Sequence, residues 1–380
     1  MNKTIFIFII FLVVKAGAQP PALAVADSLH AVGQTGKAVE VLAATDPKSD
    51  AVYLRLAKYQ SVTGKAQEAL KNYRHVLLKD PQRVLTAIEF AKTLVKAGEL
   101  QEADSVYASL SERYPKNANF IYEQGVIREL QQDSTAIEFF KEANHLDPTH
   151  QDALFKLSRN ELQRRQYTMA VFYSRMGLDH NPQNTSLLSI MAQAYMRQLT
   201  YKLAIPPFEQ IIALGQGNEF VHSRLGFAYY NEGQYEKAIE QYNTALEFED
   251  RNSDTFYNLG KLYALTGDLQ KSESHLLMAI LIKKQPVDPE YLSLGLTYKL
   301  QKDYKKALEN FNKALEENPR NERALYERAV AADNYFKDIQ TKIDHYQAYI
   351  NRFENTGNRD LIDLAKIRLS DLRKERHLSK

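Results

Sequence analysis

The chain reads as an all-α repeat array, and three observations predict it. Leu225-Gly226, Leu259-Gly260 and Leu294-Gly295 each lead, three residues past the glycine, to a tyrosine at Tyr229, Tyr263 and Tyr298. The glycines stand 34 and then 35 residues apart. Twelve residues after each comes a small side chain (Ala238, Ser272, Ala307), then a bulky one (Tyr242, Leu276, Phe311), then alanine (Ala245, Ala279, Ala314). Self-similarity at that period marks stacked units that bury their apolar faces against neighbours. Ordinary packing would divide 380 residues into two or three domains, but an array escapes that count because units add without enlarging a central core.

The same spacing can be followed along the chain. Leu23, Ala26 and Leu29 set a helical spacing, Gly33 to Gly36 turn, and Ala38 and Leu42 open a second helix that Pro47 ends. Tyr53, Leu56 and Ala57 begin the next unit, with Ala69 and Tyr73 at its later positions. Ala87, Phe90 and Ala91 begin a third, followed by Ala103 and Tyr107. The fourth carries Gly125, Ala136 and Phe140, with a spacing one residue short. Leu154 and Leu157 open the fifth; Leu188, Ala192 and Tyr195 open the sixth. A degenerate tenth unit follows the three clear ones, at Leu325, Ala329, Tyr346 and Ile350. Pro47, Pro81, Pro115, Pro148, Pro182 and Pro319 recur where second helices end, since proline cannot continue a helix. Pro206-Pro207 falls inside an expected second helix and predicts a kink or a late start there. Asp360 to Leu378 reads as a closing helix with Leu361, Leu364, Leu369 and Leu372 on one stripe and Ile362 and Ile367 beside it.

Small residues at the eighth and twentieth positions let paired helices approach, and a larger side chain there would overpack by roughly 1–3 kcal/mol. Tyr73, Tyr107, Tyr229, Tyr242, Tyr263 and Tyr298 fall at core positions of this pattern. The pattern resembles the tetratricopeptide repeat, a helix-turn-helix unit of about 34 residues. That resemblance implies a right-handed superhelical solenoid of about ten repeats over residues 19–357, closed by a capping helix over 358–380.

Composition narrows the function classes. Net charge is +2, from 49 basic and 47 acidic residues interleaved along the chain, so no nucleic-acid partner is expected. Cysteine is absent, which excludes disulfides, thiol catalysis, cysteine-ligated zinc and lipid attachment through cysteine. Lys3, the apolar run Ile5 to Val14 and Ala16-Gly17-Ala18 predict a signal peptide over residues 1–18, cleaved before Gln19. That run is too short for a spanning helix, which needs roughly 20 residues, and no later run is long enough. The leader resembles those of exported Gram-negative bacterial proteins. The mature chain is expected in the periplasm, at the outer membrane or secreted.

Motifs for chemistry fail on spacing. Thr35-Gly36-Lys37 and Thr63-Gly64-Lys65 lack the full phosphate-loop pattern and fall in turns. The nine histidines are scattered without a metal-binding spacing, and no G-x-S-x-G elbow occurs. Catalytic, metal and cofactor-binding residues are therefore none, and no enzyme is expected.

The resemblance implies instead a protein or peptide partner on the first helix of each unit. Carried over by register, the partner-facing residues are Lys58, Lys92, Tyr122, Phe155, Arg159, Phe227, Tyr230, Tyr257, Lys261 and Tyr326, with Gln193 and Met196 among neighbouring positions. Exposed aromatics are common anchors of interfaces. The lysine-and-asparagine clamp that some members use for a C-terminal carboxylate is missing around Asn258, where Ser223 and Phe227 precede and Pro289 and Ser293 follow. The expected role is a non-enzymatic scaffold or adaptor in the bacterial envelope. The alternatives are a self-associating homo-oligomer or an accessory module of an envelope enzyme.

Overall fold

The computed structural model describes residues 21–283 and 286–378, so the expected signal peptide lies outside the described residues. Those residues form 21 α-helices and no strand. The chain divides into two units, residues 1–160 and 161–380.

In the first unit, α1 (Pro21–Ala31) pairs with α2 (Thr35–Ala43), α3 (Asp50–Val62) with α4 (Ala66–Lys79), α5 (Val84–Ala97) with α6 (Leu100–Arg113), and α7 (Ala118–Leu130) with α8 (Ala136–Leu146). Most of α9 (Gln151–Gln163) follows. Two core clusters run along the stack. One joins Leu23, Leu42, Val52 and Tyr59, and the other joins Leu70, Tyr73, Phe90, Leu94 and Tyr107. The buried end of Tyr59 is satisfied, its hydroxyl donating to Asp27 at 2.6 Å. The expected short spacing in the fourth repeat becomes a longer link. The α8 helix starts only at Ala136, after Ala136 N–H and Glu138 N–H bond three residues back to Asp133 and Thr135. Tighter three-residue winding absorbs the missing residue.

The second unit stacks α10 (Tyr167–His180), α11 (Thr185–Arg197), α12 (Tyr201–Ala213), α13 (Glu219–Asn231), α14 (Tyr235–Phe248), α15 (Ser253–Thr266), α16 (Leu269–Ile282), α17 (Asp288–Leu300), α18 (Tyr304–Glu317), α19 (Glu322–Tyr335), α20 (Ile339–Phe353) and α21 (Arg359–Leu378). Each packs on the next in chain order. The eighth-position glycines do what their spacing predicts. A Cβ on Gly295 would lie 2.6 Å from the Phe311 ring, and one on Gly260 would lie 2.6 Å from Leu276. All six tyrosines assigned to the core are buried.

Turns between paired helices share one device, a left-handed residue at the fifteenth position. Glycine fills it at Gly64, Gly98, Gly233 and Gly267, but Gln132, Arg165, Leu199 and Lys302 adopt it with φ of 59° to 62°. Non-glycine residues are uncommon there because Cβ crowds the backbone.

Two expectations need correction. No late start occurs at the double proline, since α12 runs from Tyr201 to Ala213 through Pro206 and Pro207. Pro207 is buried beside Ala204, Ile205 and Phe208, so packing holds the helix where proline removes backbone donors. The stripe of α21 is also shifted. Ile362, Ala365, Leu369 and Leu372 face inward, while Leu364 is 53% and Ile367 62% exposed. These inward residues meet Ile343, Tyr346 and Ile350 of α20 and close the last apolar face.

Candidate functional site

The first helices of successive pairs in the second unit gather an aromatic strip. On α13, Phe227 and Tyr230 lie one turn apart, as residues three positions apart must. Both are half-buried, with ring centroids 6.5 Å from each other. Phe227 meets Tyr201 edge-on at 5.8 Å, and Tyr230 meets Tyr235 at 6.2 Å. On α15, Lys261 places its ammonium 5.1 Å from the Tyr230 ring centre and 5.3 Å from that of Tyr257. A cation between two ring faces is attracted to both quadrupoles and holds the neighbouring helices in register. The Tyr257 hydroxyl accepts from Ser293 of α17 at 3.4 Å, extending the strip to a third first helix.

Four of the sequence-predicted partner residues, Phe227, Tyr230, Tyr257 and Lys261, thus stand together. Tyr326 stands apart, packed edge-on against Tyr349 at 5.4 Å, and burial pushes its phenol above the ordinary range. In the first unit, Tyr122 is wedged between Phe140 at 5.6 Å and His150 at 4.9 Å. Its phenol is likewise raised, chiefly by burial. Lys58, Lys92 and Arg159 are exposed and Phe155 is half-buried. Burial raises the Glu123 carboxyl, and nearby Lys92 opposes that rise.

Beside Phe227 an open cavity of about 810 Å³ is lined by the end of α9, the turn after it, α11 and the first half of α13. Gln193 and Met196, expected from register, line it; Arg165, Arg197 and Arg224 do too and were not expected. Arg165 sits in a turn and Arg197 at a helix end, outside the first-helix positions that the register singles out. The signal available was three cations on successive units, 32 and 27 residues apart. Among the described residues, no group of three or more His, Cys, Asp or Glu side chains is arranged to hold a metal ion. No helix among them is long and apolar enough to cross a membrane.

A stack of paired helices with small-residue contacts and left-handed turns defines an α-helical repeat protein. Residues 221–267 match the family described as TPR repeat, and residues 289–321 match the tetratricopeptide repeat. The chain thus carries tetratricopeptide repeats over those residues. It is 23% identical to the anaphase-promoting complex subunit CDC16 of Saccharomyces cerevisiae, over 62% of this chain and 29% of that protein. It is 29% identical to the BBSome complex member BBS4 of Bos taurus, over 46% of this chain and 32% of that protein. The chain thus spans less than a third of either relative. Among solved structures, it is similar to YrrB, a TPR protein with an unusual peptide-binding site, at 19% identity and a TM-score of 0.46, covering 49% of this chain and 96% of that one. MamA is similar at 22% identity and a TM-score of 0.43, covering 45% and 92%.

Proposed function

We propose that this chain is an exported, non-enzymatic scaffold of the bacterial cell envelope that holds a partner protein segment along the first helices of its second unit. The observation that carries the reading is the strip from Tyr201 through Phe227 and Tyr230 to Lys261 and Tyr257, built from side chains of three helices. Half-buried aromatics fixed by their neighbours lose little conformational freedom on binding and present large apolar faces, which suits interface anchors. Tetratricopeptide-repeat proteins act as interaction scaffolds, and relatives named as members of multi-subunit complexes accord with that role.

The test is an affinity capture from cell envelopes with mature protein, run beside Phe227→Ala/Tyr230→Ala/Tyr257→Ala. A second variant, Lys261→Glu, keeps every ring and inverts one charge. Partners retained by wild type and lost from both variants, with helical content and melting unchanged in Lys261→Glu, support the reading. Retention of the same partners by both variants rejects it.

A further inference from the structure

The cavity next to the aromatic strip has a one-sided charge. Arg165, Arg197 and Arg224 line it, Phe220 and Phe227 give it an apolar side, and no carboxylate is among its lining residues. The whole chain carries a net charge of only +2, so this excess is local.

Several arginines elsewhere in the array are answered by acids. Arg55 pairs with Asp27 at 2.8 Å, Arg74 with Glu102 at 2.5 Å, Arg128 with Asp104 at 2.7 Å, and Arg368 with Asp333 at 2.7 Å. Among the described residues, Arg165, Arg197 and Arg224 make no ion pair, and all three are exposed. Like charges around one concavity repel unless an anion stands between them. One of the three is held in place by a ring: the guanidinium of Arg224 lies 5.4 Å from the Phe220 ring centre. Arg165 stands at the left-handed turn position with φ 62°, as Gln132, Leu199 and Lys302 do in their own units, where glycine would be less strained.

We propose that this cavity receives an acidic peptide segment, whose carboxylates are gripped by Arg165, Arg197 and Arg224 and whose apolar side chains lie on Phe220 and Phe227. The proposal rests on the reading of this face as a partner site and adds the partner's chemistry. Guanidinium forks match carboxylates in bidentate geometry, and arginine also stacks on aromatic faces, so the two kinds of lining act on one ligand. A peptide fits better than a nucleic acid because the cations are three around a pocket, without the extended basic stripe that follows a phosphate backbone.

The experiment is selection from a phage library of random short peptides on mature protein, followed by affinity measurement on the enriched sequences. Enriched peptides should combine Asp or Glu with Leu, Phe or Tyr. Replacing their acids by Asn and Gln should weaken binding by roughly tenfold or more, as should Arg165→Gln/Arg197→Gln/Arg224→Gln. Added salt should weaken the wild-type complex. Arg165→Gly separates binding from folding, because it relieves the left-handed turn; it should melt no lower than wild type and still bind more weakly. Enrichment of neutral or basic peptides, no enrichment, or equal binding by the triple variant overturns the proposal. So does tighter, arginine-dependent binding of a labelled oligonucleotide or of anionic phospholipid vesicles than of the enriched peptides. If the acidic selection fails while envelope partners are still lost with the aromatic variants, the partner-face reading stands without its acidic ligand; if both fail, both are wrong.

Discussion

Replacing Gly295 by alanine sets two known effects against each other. Alanine is the better helix former by about 0.8–1 kcal/mol, and a solvent-facing site would gain that much. At Gly295 the added Cβ would stand 2.6 Å from Phe311 Cε1, 2.7 Å from Cδ1 and 3.1 Å from Cζ. The ring cannot swing aside, since Phe311 is fully buried with Leu276, Leu294 and Tyr298 around it. Overpacking of a filled core costs about 1–3 kcal/mol, and a 2.6 Å contact with a buried ring falls in the upper half of that range, so the net effect should be a loss of about 1–2 kcal/mol. Gly226 is the internal control. There the nearest atoms, on Tyr242, lie at 3.1 Å and 3.2 Å, a misfit of a few tenths of an ångström, and the two effects should nearly cancel. Repeat arrays need not melt as one unit, so the assay is amide hydrogen exchange over α17 and α18 alongside a urea melt. Gly295→Ala should raise exchange there, and Phe311→Leu in the same chain should recover much of the loss as a coupling energy. A Gly295→Ala protein as stable as wild type, or one less affected than Gly226→Ala, refutes the close-approach argument.

Three other outcomes are expected. The α19–α21 cluster should loosen on acidification. Burial holds His345 below its ordinary 6.5, with Arg328 adding to the effect, so the unfolded chain takes up the proton first as pH falls below that value and stability is lost. Asp333 acts in the same direction at lower pH. Burial raises its carboxyl, but hydrogen bonds from Arg368 and Lys342 outweigh burial and leave it below its ordinary 3.8, so its stabilisation fades as pH falls through that region. Exchange of α21 amides across a pH series checks this, and a profile flat down to pH about 3 would contradict it. Glu327→Ala should cost about 2 kcal/mol: the carboxylate is buried, with Lys299 on one side and Arg323 at 2.5 Å on the other, while the partial exposure of both cations moderates the penalty of stranding them. An unchanged melting midpoint would show that the pair contributes nothing. Gly64→Ala should cost about 1 kcal/mol through its φ of 79° alone, because a Cβ there meets nothing within 4 Å. Lys302→Gly, at the same place in its own unit with φ 62°, should move stability less or in the opposite direction; equal losses for the two would refute the turn argument.

Most of the fold was legible because its packing rule is local. A glycine and the bulky side chain that covers it lie sixteen residues apart in one helix pair, as Gly226 and Tyr242 or Gly295 and Phe311 do, so the contact is written inside each period. Where the rule becomes non-local, the reading slipped. On α21 there are more apolar residues than one stripe can hold, and Leu364 is as hydrophobic as Leu369. Only the docking of α20 selects Ile362, Ala365, Leu369 and Leu372 as the buried set. Pro206-Pro207 looked like a breaker by propensity, yet Pro207 and its neighbours are buried on a stacked face. Tertiary packing there overrides the local preference.

The candidate site divides along the same line. The aromatic strip was legible because Phe227, Tyr230 and Tyr257 sit at register positions that packing within the unit does not use up. The arginines were not, because each has an ordinary local explanation. Arg197 closes α11, where a cation complements the helix dipole; Arg165 occupies a turn, where any polar residue passes unnoticed; Arg224 covers a phenylalanine on its own helix. They lie 32 and 27 residues apart, on successive units but at different places within them. The stacking of successive units therefore turns three unremarkable surface charges into the wall of one cavity. In an array of this kind, a binding surface is written across periods, so like charges on successive units carry more meaning than a cluster of charges in one stretch of chain.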